Sequence, residues 1–189
     1  WDIYKNLKDA NYRLVDAAAF ESILSASGIT PDMKVVFYGY GPALGYWLMK
    51  LYRHADTSVL NLSKRQWHDD GRPWTTDRPE PRATRYALPE PNADVRALAP
   101  MVAASIGSAD RAILDVRSEA EFSGERFWPS GAPEDKGRAG RIPGALHVPL
   151  DAVMNSDGSY AHVDALRETF PARFTDATDF ITYCTIGNR

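Results

Sequence analysis

Five prolines fall between positions 72 and 91, at Pro73, Pro79, Pro81, Pro89 and Pro91, with few aliphatic residues among them. A proline fixes its own φ and offers no backbone N–H, so a stretch this dense holds neither a helix nor a central strand. It predicts an extended linker over 73–93 and divides the chain into a first stretch, 1–72, and a second, 94–189. On either side, helical and strand periods alternate. Asp16 is placed to cap a helix reaching about Ser27, with Phe20, Ile23 and Leu24 on one face and Gly28 as the stop. Residues 34–38 read as a buried strand and 39–42 as a turn, with Pro42 in the first turn of a helix to about Arg53. A strand over 58–62 follows, then a short helix capped by Ser63 and stopped at Gly71. The second stretch restarts at Asp94, a cap residue. It predicts strands over 112–116, 146–148 and 180–183, a long loop over 124–140 and a helix over 163–170. This alternation predicts an α/β protein with largely parallel central sheets.

The two stretches share a local pattern. Val35-Val-Phe-Tyr-Gly39 lines up with Phe180-Ile-Thr-Tyr-Cys184, and each precedes a glycine-bearing loop. The match predicts an internal duplication. In that register Gly39 stands where Cys184 stands, and Leu44 where Arg189 stands. The first copy would keep the scaffold without the nucleophile or the cation. Beyond its loop the first copy continues through helix, strand and helix, whereas the second shows a strand and a long loop ahead of its helix. Each lacks what the other shows. The chain begins at Trp1 rather than Met, and both copies read as incomplete.

Composition narrows the function. A net charge of −3 provides no basic excess of the kind a nucleic-acid binder carries. No apolar run approaches the roughly 18 residues of a membrane span. One cysteine excludes an internal disulfide framework and a Cys-rich zinc site, and it points to a reducing, cytoplasmic compartment.

That cysteine, Cys184, ends an apolar, β-prone run and opens a short loop of Thr185, Ile186, Gly187, Asn188 and Arg189. A thiol of pKa about 8.5 is mostly protonated at neutral pH, and only the thiolate attacks. Backbone N–H groups turned inward form a nest that stabilises an anion, and Arg189 adds a full charge. The arrangement points to sulfur or phosphate chemistry through a covalent cysteine intermediate. The Cys-x4-Arg spacing is one residue shorter than the Cys-x5-Arg cradle of cysteine-dependent phosphatases. A tighter ring of N–H groups suits a single sulfur better than a phosphoryl group. Asp115 and Arg117 read as structural support for the strand end and the loop. His147 and His162 read as surface or packing residues.

Three segments resemble the rhodanese family, the tandem-domain thiosulfate and 3-mercaptopyruvate sulfurtransferases. Leu114-Asp115-Val-Arg117-Ser-Glu-Ala-Glu121-Phe122-Ser-Gly124 is similar to its first conserved segment. Gly137-Arg-Ala-Gly-Arg141-Ile-Pro-Gly144-Ala-Leu-His-Val-Pro149 is similar to its Gly-His-Ile-Pro-Gly-Ala segment. Tyr183-Cys184-Thr-Ile-Gly-Asn-Arg189 is similar to its active-site loop. The resemblance implies two rhodanese-like domains, the first inactive, and sulfur transfer from thiosulfate through a Cys184 persulfide. It also implies a small anionic sulfur donor, a cyanide or thiol acceptor, and no metal or organic cofactor. The alternatives are 3-mercaptopyruvate as donor, a phosphatase or arsenate reductase, and a non-catalytic binding module of the same fold. Two positions depart from the family. Arg141 replaces a histidine that is mainly structural there. Glu121 stands where some members carry an arginine that helps bind the anionic substrate, so that contact falls first to Arg189.

Overall fold

The computed structural model describes residues 3–9, 13–39, 41–127, 138–172, 176–177 and 179–187. The chain separates into two compact units, Trp1–Arg96 and Ala97–Arg189.

In the first unit, helix α1 (Ala17–Ala26) starts where the sequence places it, with the Asp16 carboxylate accepting the Ala19 N–H at 2.8 Å. Strand β1 (Val35–Phe37) is followed by helix α2 (Pro42–Leu51) and strand β2 (Thr57–Val59), which pairs with β1 in parallel. A parallel pair needs a crossover of this kind, and α2 supplies it. Strand β2 starts one residue earlier than the expected 58–62 and ends sooner. The Leu60 N–H closes the ladder on the Phe37 carbonyl at 2.8 Å. The chain then leaves the sheet so that Ser63 can cap helix α3 (Lys64–Asp69). The core is built of Leu7, Phe20, Leu24, Leu44, Leu48, Met49, Leu51 and Tyr86.

Tyr86 lies inside the stretch expected to be a linker. Residues 73–80 are extended and exposed, but the following segment is strapped onto the first unit. Thr84 donates its N–H to the Ser25 carbonyl at 2.9 Å and its hydroxyl to the Ile29 carbonyl at 2.6 Å. The Leu88 N–H reaches the Glu21 carboxylate at 2.8 Å, and the Asn92 N–H reaches the Leu51 carbonyl at 2.7 Å. Ser25 and Leu51 lie in the last turns of α1 and α2, where carbonyls have no partner within the helix. The proline-rich chain, without a ladder of its own, gives the Leu51 carbonyl a donor and adds a second to the Ser25 carbonyl, which also accepts the Gly28 N–H at 3.1 Å. Asp94, expected to cap the restart, instead lies in a single 3-10 turn, Ala93–Val95, capped by Asn92. The second unit begins beyond it.

In that unit helix α4 (Ala99–Ser105) leads to strand β3 (Arg111–Asp115), helix α5 (Glu119–Ser123), strand β4 (Leu146–His147), helix α6 (Val163–Thr169) and strand β5 (Asp179–Tyr183). The three strands form a parallel sheet in the order β4-β3-β5. Strand β3 is central, and Ala112 to Asp115 along it are all buried. Asp115, its last residue, is in register with His147 on β4 and Tyr183 on β5. Three polar side chains therefore meet at the carboxyl end of the sheet, the end at which open parallel α/β sheets place their ligands. Among the described residues, no helix is long and apolar enough to cross a membrane.

Candidate active site

Cys184 follows Tyr183 directly, so β5 delivers it to that carboxyl end. It is half-buried and forms no disulfide. The chain turns at once, and the Gly187 N–H donates to Cys184 Sγ at 2.8 Å. Gly187 has φ +69°, a conformation that a side chain disfavours, and this aims its N–H back at the sulfur. Thr185 and Ile186 between them are half-buried. Asn188 and Arg189, expected to complete the loop, lie outside the described residues.

Behind the sulfur sits a buried polar network. Arg117 grips Asp115 with two prongs, Nε to Oδ1 at 2.9 Å and one terminal nitrogen to Oδ2 at 2.7 Å. The Arg117 N–H adds a third bond to Oδ1 at 3.0 Å. Asp115 is fully buried and Arg117 nearly so. Forked, charge-assisted bonds of this kind are the geometry that makes a buried pair tolerable. Burial alone would raise the Asp115 carboxyl, but the Arg117 bonds and the Tyr183 hydroxyl outweigh it and hold it below the ordinary carboxylate value. The same Arg117 side chain donates to the Gly140 carbonyl at 2.8 Å and lies over the Tyr183 ring. It thus pins one end of the 124–140 loop, whose residues 128–137 lie outside the described set.

Tyr183 donates its hydroxyl to Asp115 Oδ2 at 2.5 Å and accepts the Ile142 N–H at 3.2 Å. Burial, and then the neighbouring Asp115 carboxylate, push its phenol up to about 12. Tyr183 therefore stays neutral and keeps donating throughout the neutral range. It ties the residue before the cysteine to the segment that contains Arg141. Arg141 stacks on Phe122 with its guanidinium carbon 4.4 Å from the ring centroid and donates to the Phe122 carbonyl at 3.2 Å. His147 stacks on the same ring at 4.3 Å, contacts the Arg117 carbonyl through Nε2 at 2.9 Å and pairs with Glu119. It packs, as expected. Among the described residues, no three His, Cys, Asp or Glu side chains gather as a metal site.

Glu121 is the residue that sequence reasoning undervalued. It is completely buried. Its Oε2 accepts the Ser118 N–H at 3.1 Å and the Ser118 hydroxyl at 2.7 Å, while Oε1 accepts the Thr185 hydroxyl at 2.6 Å. The Ser118-x-x-Glu121 spacing is that of a capping box, a signal present in the sequence and sufficient to locate α5.

Residues 99–189 match the family model of the rhodanese-like domain. The second unit belongs to the rhodanese family. The match to this rhodanese-like unit leaves the first unit outside it, so the family model itself covers one domain and not two. Over 181 residues the chain is 37% identical to a protein of Saccharopolyspora erythraea named "Putative thiosulfate sulfurtransferase", covering 93% of this chain and 64% of that protein. A protein of the same name from Mycolicibacterium smegmatis is 36% identical over 181 residues, with 93% and 65% covered. The chain thus spans just under two thirds of the length of these relatives. Among solved structures, YnjE is similar with a TM-score of 0.80 and 19% identity over 94% of this chain and 46% of its own. The anaerobic ergothioneine biosynthesis enzyme of Chlorobium limicola, solved with trimethyl histidine, is similar with a TM-score of 0.75 and 19% identity, covering 95% and 48%. At that identity these structures speak to the fold alone.

Proposed function

We propose that the protein is a sulfurtransferase that moves the outer sulfur of thiosulfate to cyanide or a thiol through a persulfide on Cys184. The observation that carries this is the Gly187 N–H held on Cys184 Sγ at 2.8 Å. A donor aimed at sulfur favours the thiolate over the thiol and remains in place for the terminal sulfur of a persulfide anion. In the first half-reaction the thiolate attacks the outer sulfur of thiosulfate. A bond forms between Sγ and that sulfur, the S–S bond of thiosulfate breaks, and its electron pair leaves on sulfite. In the second half-reaction the acceptor attacks the terminal sulfur and the electron pair returns to Sγ, giving thiocyanate or an acceptor persulfide. Two half-reactions of this kind make a ping-pong cycle. Arg189 would bind the anionic donor, and Asp115 and Arg117 hold the loop from behind. The relatives named thiosulfate sulfurtransferases support the donor assignment. The Gly39 copy is read as a second, non-catalytic unit of the same family, and a reduced thiol nucleophile suits the cytoplasm.

The test is the intact mass of the protein after exposure to thiosulfate, beside Cys184→Ser. Expected is a gain of one sulfur atom, reversed by cyanide and absent from the variant. Loading by 3-mercaptopyruvate but not by thiosulfate would replace the donor. Loading by neither would overturn the reading.

A further inference from the structure

One buried carboxylate joins two elements that the sequence keeps 64 residues apart. Through Oε2 Glu121 caps α5, and through Oε1 it holds the Thr185 hydroxyl, one residue beyond Cys184. We propose that Glu121 is a positioning residue for the Cys184 sulfur: by fixing Thr185 it sets the turn that keeps the Gly187 N–H on Sγ. The assignment rests on Cys184 being the nucleophile.

The chemistry of the groups fixes their roles. A carboxylate only accepts, so the Thr185 hydroxyl must donate to it. Threonine is stiff about χ1, and a tethered Oγ1 therefore restrains the backbone of residue 185 as well as its side chain. Two residues on, Gly187 turns back at φ +69° to reach the sulfur. The turn is thus held at both ends, by Glu121 on the outside and by Sγ on the inside. A fully buried carboxylate is costly unless donors face it. Ser118 and Thr185 supply three of them from two separate elements, so the carboxylate cannot shift toward one without giving up the other. Glu121 is therefore more than a missing substrate contact. Its carboxylate serves the loop that carries the sulfur.

Cys184 is the single cysteine, so alkylation reports on it alone. The rate of alkylation by iodoacetamide, followed against pH, gives the midpoint of thiolate formation without any sulfur donor. Thr185→Val keeps the branched shape and removes the donor. It is expected to move the midpoint up and slow alkylation at neutral pH about tenfold, the size of one lost hydrogen bond to a charged group. Thr185→Ser keeps the hydroxyl and is expected to stay within about twofold of the parent. Ser118→Ala removes a donor from the far oxygen and is expected to act in the same direction as Thr185→Val, by about twofold. Should Thr185→Val fail to fold, Ser118→Ala decides the matter. An unchanged midpoint in the folded variants, even with a lower melting temperature, would overturn the proposal. Shifted midpoints in a protein that takes up sulfur from neither thiosulfate nor 3-mercaptopyruvate would leave Glu121 in this role and overturn the sulfur-transfer reading instead.

Discussion

The loop after β1 and the loop after β5 begin alike and end in different residues. Each follows a parallel strand and a tyrosine, Tyr38 just beyond β1 and Tyr183 at the end of β5. Where the second unit places Cys184, the first places Gly39, with φ +90° and the Lys64 side chain over the face a Cβ would occupy. That backbone conformation is poorly suited to any residue with a side chain. The difference extends behind the loops. Under the cysteine lie buried charges, Asp115, Arg117 and Glu121. Within the glycine-bearing unit one buried polar pair is His54 and Tyr86, beside the buried Lys8 and Thr57. His54 Nε2 faces the Met33 carbonyl at 2.8 Å and so carries the proton, which leaves Nδ1 to accept from the Tyr86 hydroxyl at 2.7 Å. A strand and a turn are therefore not enough to make the site. The second unit adds buried charged side chains that fix the turn from behind, and in the first His54, Tyr86 and the Glu21 carboxylate fix a strap.

The largest test exchanges the loop residues. Cys184→Ser is expected to abolish sulfur uptake completely, and Gly39→Cys in that background is expected not to restore it, as read by intact mass. Uptake at residue 39 would break the comparison at its root. Next comes the buried charge. Arg117→Met leaves Asp115 unpaired and is expected to destabilise the second unit by about 3–5 kcal/mol, measured as a urea midpoint. The neutral counterpart costs less. Tyr86→Phe strips the donor from His54 Nδ1 and is expected to cost the first unit about 1–3 kcal/mol while leaving Cys184 alkylation unchanged.

The smallest effect is one of pH. The Asp115 carboxyl is held below its ordinary value in the folded protein. Its contribution is fully present above the unfolded value of about 3.9 and is lost as pH falls through the folded one. The urea midpoint of the second unit is expected to drop below about pH 4, and Asp115→Asn is expected to lose that part of the slope. Retention of the full slope in Asp115→Asn would place the acid sensitivity elsewhere.

Much of this is legible in the sequence. Asp16 and Ser63 marked two helix starts because a cap is a local event, decided within three or four residues. The β3 run was legible because a central parallel strand reads as an apolar run, and β5, at the sheet edge, because its Phe-Ile-Thr-Tyr run is β-prone. The cysteine loop and the Asp115–Arg117 support were also legible as residues, but not the fork between them or the Tyr183 bond, which depend on strand register. Two features were hidden for different reasons. The strap over 84–92 was hidden because proline density reports what a segment cannot form and is silent on what it packs against. Glu121 was hidden because its capping box was visible but its bond to Thr185 spans 64 residues.

The strap gives the proline-rich region two tolerances to insertion. Residues 73–80 are exposed and make few ties, so extra residues there would lengthen a loop between α3 and the strap. Each doubling of loop length costs only about 0.6 kcal/mol in closure entropy. A single residue added between Thr84 and Tyr86 would slide Tyr86 off His54 and Leu88 off Glu21. Two stretches that composition cannot tell apart would accept length changes very differently: one is slack, the other is measured.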